Sequence, residues 1–199
     1  MCIRDSLSGG RIGYVHVRGM NDSSYRDAYA EIMGRYYDAE AIVVDTRFNG
    51  GGWLHDDLVV LLSGKRYVDF APRNQAVDGQ RFYGEPGKRW WKPSCVVMNE
   101  ANYSDAHFFP WAYKELEIGP LVGMPVPGTA TAVWWERLHT GDVLFGIPQV
   151  GMIDLEDGTY LENTQLEPDY EVAITPEEAA AGEDPQIAKA VEVLLEKLD

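Results

Sequence analysis

Ala41-Ile42-Val43-Val44-Asp45-Thr46-Arg47-Phe48-Asn49-Gly50-Gly51-Gly52 is the stretch that decides the fold. Its opening is a short, β-branched apolar run closed by an aspartate, which suits a strand buried on both faces better than a helix. The glycines then break the strand. They let the backbone approach whatever lies opposite and leave amides available as donors.

The neighbouring segments extend this pattern. Upstream, Arg11 to Val17 reads as a strand. A helix capped by Asp22 or Ser23 follows, with Tyr25, Ala28, Tyr29, Ile32, Met33, Tyr36 and Tyr37 as one apolar stripe. Downstream, Leu54, Leu58, Leu61 and Leu62 mark the inner face of a helix ended by Gly64. Residues 65–93 read as irregular, with Trp90-Trp91 near their end. Cys95 to Asn99 is a second buried strand, and Ser104 opens a helix running to about Glu117 that Pro110 should kink or divide. Leu121 to Val126 is the next strand. Val143 to Val172 reads as β-rich with a turn at Asp157-Gly158, and Asp184-Pro185 starts a last helix. Strand–helix alternation over residues 11–126 predicts an α/β core with a mostly parallel sheet.

The 199 residues carry a net charge of −15, from 17 basic against 32 acidic side chains. So acidic a surface repels phosphate backbones and argues against nucleic-acid binding. Cys2 and Cys95 have no metal-ligand spacing, and no disulfide framework can be built from two cysteines. Met1 to Ser6 lacks the apolar core of a signal peptide and reads as a non-native adaptor, so the protein is expected to extend upstream.

Three segments can carry chemistry. The glycine loop suits an oxyanion hole or, on composition alone, simply a tight strand-to-helix turn. Ser104, at a strand-to-helix turn, is either an exposed nucleophile or, with Asp105, an ordinary helix cap. Glu162, after the Asp157-Gly158 turn, reads by itself as a solvated hairpin residue. Among the histidines, His107 lies one helical turn from Ser104, while His16, His55 and His139 have plain structural readings. The pairs Trp90-Trp91 and Trp134-Trp135 read as core or interface anchors, and Asp56-Asp57 as a solvated first-turn pair.

Taken in order, these motifs resemble those of the tricorn-core and tail-specific (C-terminal-processing) serine peptidases. Asp45 to Gly52 resembles the family's Asp-x-Arg-x-Asn-x-Gly-Gly loop. Asn99-Glu100 with Ser104-Asp105 is similar to its nucleophile segment. Leu121-Val122-Gly123 with Gly128-Thr129 is similar to its next strand and loop, and Leu161-Glu162, Pro168-Asp169 and Asp184-Pro185-Gln186 to its C-terminal pattern. The resemblance implies an α/β fold with a crotonase/Clp-protease-like core, a β-rich C-terminal stretch and a final helix, forming one catalytic unit over residues 7–199. It implies Ser104 as nucleophile, the amides of Gly51 and Asp105 as oxyanion hole, and Glu162 orienting the base. That base would be a histidine upstream of this chain, beyond a PDZ domain. No cofactor or metal is implied; the partners would be peptide or protein substrates and further copies of the chain. An acyl-CoA enzyme of the crotonase type and a peptide-binding module without chemistry are the alternatives.

Overall fold

The structure, a computed structural model, describes residues 8–70 and 83–199, so the adaptor-like segment and Cys2 lie outside the described residues. Its centre is a parallel five-stranded sheet. In chain order the strands are β1 (Ile12–His16), β2 (Ala41–Asp45), β5 (Ser94–Met98), β6 (Leu121–Gly123) and β9 (Tyr170–Glu171), which is also their spatial order. β2 and β5 are buried at every residue, as their unbroken apolar runs require.

Helices α1 (Asp22–Ala30), α2 (His55–Leu62) and α3 (Asp105–Glu115) cover one face. There Ile42, Val44, Val96 and Met98 meet Ala28, Leu58, Leu61, Phe109 and Tyr113. The strands advance in one direction, so crossovers of one hand deliver their helices to one side. The other face carries Ala41, Val43, Cys95, Val97 and Val122. It is closed by α5 (Pro185–Leu198) through Ile187, Ala190, Val191 and Leu194. Burial pushes the Cys95 thiol far up, so this cysteine is inert core. A short helix α4 (Pro176–Ala181), held by a capping box at Thr175 and Glu178, precedes α5.

Several expectations need correction. The cap of α1 is Asn21, whose side chain accepts from Ser24 N, rather than Asp22 or Ser23. Residues 65–93 are not uniformly irregular, because β3 (Val68–Phe70) and β4 (Tyr83–Glu85) pair antiparallel within them. The β-rich stretch begins before Val143, with an antiparallel ribbon of β7 (Thr131–Arg137) and β8 (Leu144–Gly151). Pro110 does not end α3. The Ala106 carbonyl, which loses its helical donor at Pro110, accepts instead from Asn102 Nδ2 at 3.1 Å.

One ion cluster joins the sheet to the last helix. Arg47, 8% exposed, directs Nε and Nη2 to the two oxygens of Asp45, Nη1 and Nη2 to those of Asp184, and Nη1 also to Gln186 Oε1, all at 2.7–3.0 Å. Tyr14 donates to Asp45 as well, at 2.7 Å. Burial pushes the Asp45 carboxyl upward, but the bonds from Arg47 and Tyr14 outweigh it and hold the group below its ordinary value. A lowered folded-state value means stability that is present above about pH 4 and lost as pH falls through the folded value. Arg47→Met strands the buried Asp45 and is expected to cost about 3–5 kcal/mol in urea titrations at neutral pH. The acid side of the wild-type stability profile should fall as pH drops below about 4, and the variant should lack that slope.

Candidate active site

Because β2 and β5 are parallel neighbours, the loops that leave their C-terminal ends lie side by side. Buried amide side chains stitch them together. Asn99 Oδ1 accepts from Phe48 N at 3.0 Å, Asn102 Nδ2 donates to Thr46 Oγ1 at 3.0 Å, and Tyr103 N donates to Asn49 O at 3.0 Å. Buried amides that find partners at both ends fix a geometry, because any other arrangement leaves polar groups unpaired.

Ser104 sits at this seam as the N-cap of α3, with φ 55° and ψ −121° and no capping bond from its side chain. A left-handed conformation at a serine costs on the order of 1–3 kcal/mol and persists only where surroundings enforce it. The plain reading of Ser104 as a cap therefore fails. So does that of Asp105, whose carboxylate serves the neighbouring helix α2. Its Oδ2 accepts from Leu54 N at 2.6 Å and from His55 N at 3.2 Å, and Oδ1 lies 2.5 Å from His55 Nδ1. The His55 ring is packed between Trp53 and Phe108.

The glycine loop closes against the serine. Gly51 has φ 91°, and a Cβ there would fall 2.7 Å from Tyr103 O and 2.8 Å from Ser104 Cβ. Its own N–H donates to Asn49 Oδ1 at 2.9 Å, while Asn49 Nδ2 is anchored on Val17 O at 2.9 Å. The Asp105 N–H belongs to the first turn of α3, where helix geometry offers no internal acceptor.

Glu162 is tied to the same seam through a third loop. Ser104 N donates to Thr129 Oγ1 at 2.9 Å; the next two residues of that loop, Ala130 N and Thr131 Oγ1, both donate to Glu162 Oε2, at 2.8 and 2.7 Å. Glu162 is thus partly buried and hydrogen-bonded, not the solvated hairpin residue its local sequence suggests.

These elements border a cleft of about 640 Å³, lined by Gly50 to Trp53, Tyr103, Ser104 and Asp105 on one side and by Val133, Trp135, Pro148 and Met152 on the other. Trp90 is core, as expected, at 2% exposure. Trp135, 68% exposed, instead forms part of the cleft wall supplied by the β7–β8 ribbon. Asp56 and Asp57 are exposed in the first turn of α2.

No described histidine bonds to Ser104. His55 belongs to Asp105, and His16 Nε2 faces Arg47 O at 3.3 Å. His139 is exposed. His107 is 1% exposed with Nδ1 unpartnered, and burial, partly offset by Glu162, lowers its pKa. Among the described residues no cluster of His, Cys, Asp or Glu could hold a metal ion.

Of the residues expected from the sequence, Ser104, Asp105 and Gly51 line the cleft and Glu162 is linked to them through the Thr129 loop; what holds them was missed. Asn49, Asn99 and Asn102 lie inside the very segments that were read. Three asparagines beside apolar runs signal buried hydrogen bonding. The cleft residues Trp53 and Tyr103 carry no such signal.

Residues 11–172 match the profile of Peptidase family S41. The chain belongs to this family. It is 28% identical over 192 residues to the putative tricorn-like protease C-terminal subunit of Sulfurisphaera tokodaii, covering 96% of this chain and 22% of that one. It is 27% identical over 191 residues to the tricorn protease of Thermoplasma acidophilum, covering 96% and 17%. A crystal structure of the tricorn protease superposes with a TM-score of 0.85 at 26% identity, over 98% of this chain and 18% of that one. The chain therefore spans about a fifth of the length of these relatives. The photosystem II D1 C-terminal processing protease shares the fold, with a TM-score of 0.56 at 18% identity over 90% of this chain and 46% of that one. The resemblance to tricorn-core and tail-specific peptidases and the α/β fold with a mostly parallel sheet that it implied both hold.

The contact between Gly51 and the Ser104 turn sets a steric test. Gly51→Ala meets backbone that cannot yield and also demands a disfavoured positive φ. It is expected to lower the melting temperature by several degrees and to displace the Ser104 turn. A crystal structure of the variant with the turn unmoved would refute the close packing described here.

Proposed function

We propose that this chain is the catalytic core of a serine peptidase that hydrolyses peptides or unstructured protein ends through an acyl-enzyme. The observation that carries this reading is the strained, uncapped Ser104 at the mouth of the cleft, wedged between the glycine loop and the first turn of α3. Membership of Peptidase family S41 supports it.

In this mechanism Ser104 Oγ attacks the peptide carbonyl as a histidine takes its proton. The tetrahedral oxyanion accepts from the amides of Asp105 and Gly51. Gly51 N–H already donates to Asn49 Oδ1, so the oxyanion must share or displace that bond. The protonated histidine gives its proton to the leaving amine, and water, deprotonated in turn, releases the acyl group from Ser104. Glu162, with Oε2 taken by Ala130 N and Thr131 Oγ1, has Oε1 left to orient the histidine. On this proposal the base is the histidine that the family resemblance puts upstream of this chain, beyond a PDZ domain, in an oligomeric full-length protein. The second reading is a peptide-binding module without chemistry, which an upstream sequence lacking a suitable histidine would favour.

Ser104→Ala separates the readings. In the full-length protein it is expected to reduce turnover by about 10⁶-fold, with little change in melting temperature since no capping bond is lost. Glu162→Gln should be milder, since the nucleophile remains. Near-normal turnover in Ser104→Ala would sink the mechanism. The 199-residue chain alone is expected to react slowly with a fluorophosphonate. Fast labelling abolished by His107→Ala would instead place the base within it.

A further inference from the structure

Tyr37 and Asp38 come just before β2, and Trp90, Trp91 and Lys92 just before β5, so the pocket they share lies where the strands begin. Gly51 and Ser104 lie where the strands end. A five-residue strand separates the two ends by roughly 17 Å. The pocket encloses about 310 Å³, within the size range of ligand sites.

Its charge is opposite to that of the molecule. Residues 65–92 hold seven of the 17 basic side chains but only three of the 32 acids. Arg66, Arg89 and Lys92 line the pocket, against the single acid Asp38. Two of the cations are fixed in place. Lys92 Nζ donates to the carbonyls of Tyr37 and Ala39 at 2.6 Å each and lies 5.1 Å from the Trp90 ring and 5.8 Å from that of Trp91. The Arg66 guanidinium stacks 4.6 Å over Trp91 and pairs with Asp69. A Cβ at Gly84 would fall 2.6 Å from that guanidinium, so glycine there leaves room for it. Arg89 has no ion pair among the described residues. Charges beyond about 8 Å are largely screened at physiological ionic strength, so a ligand here meets the local cations rather than the net −15.

We propose that this pocket is a docking site for an acidic peptide segment. A glutamate or aspartate carboxylate would lie between Arg89, Arg66 and Lys92, with an adjacent apolar side chain against Met33, Pro86 and the exposed edge of Trp91. The apolar walls favour an amphipathic peptide over a nucleotide, and Asp38 opposes a doubly charged phosphate. The proposal is independent of the chemistry at Ser104.

Calorimetric titration of the 199-residue chain tests it with a terminally blocked hexapeptide of alternating glutamate and leucine and with its glutamine counterpart. The glutamate peptide is expected to bind in low salt and to weaken as salt rises. Arg89→Ala and Trp91→Ala should each weaken it by about tenfold or more, and Arg89→Lys should recover part of the loss. Arg89 makes no ion pair within the described structure, so its alanine variant should keep the wild-type circular dichroism and melting temperature. Equal binding of the glutamine peptide, undiminished binding by Arg89→Ala, or no binding at millimolar peptide in low salt would each overturn the proposal.

Discussion

Arg47 is the side chain on which the geometry of the Ser104 end of the sheet depends. Its planar fork meets two carboxylates and an amide oxygen, so every direction in which a guanidinium donates is used. Two buried charges beside the core would otherwise be a liability. Here Asp45 ends β2, Asp184 begins the last helix, and Arg47 opens the loop that carries Gly51. A single residue thereby ties the sheet, the outer helix layer and the glycine loop into one frame.

From that frame, order passes to the serine through neutral hydrogen bonds rather than charges. Asparagines hold loop to loop, and Thr129 holds the Ser104 amide. The strain at Ser104 persists because the partners of its neighbours are already committed. Asp105 illustrates the economy of the arrangement: its carboxylate caps α2 while its amide remains in the cleft. The Ser104 turn and the helix after the glycine loop are thus tied together directly.

Much of this was legible in the sequence, for identifiable reasons. Unbroken apolar runs identified β2 and β5 because a strand buried on both faces leaves little freedom of composition. The four candidate site residues came from motif order, not from physics, since alone a serine at a helix start looks like a cap. What failed were elements whose stability is not local. The β7–β8 ribbon leaves Trp134, Trp135, Leu144 and Phe145 exposed, so it lacks the in–out alternation that marks a strand. Pro110 misled because its remedy, Asn102, lies eight residues earlier on the far side of the serine. Glu162 looked solvated because both its donors sit more than 30 positions away.

The separation of Arg47 from Asp184 has a temporal side. The two are 137 residues apart in the chain. At ribosomal speeds of about 5–20 residues per second, the loop emerges on the order of ten seconds before the carboxylate that completes its anchor. Until then the guanidinium has only Asp45, α5 is absent, and the sheet face it covers stands open to water. A half-made protein of this design therefore presents an unfinished glycine loop. The glycine loop and the Ser104 turn beside it thus gain their full bracing only when translation has delivered the helix that completes the anchor.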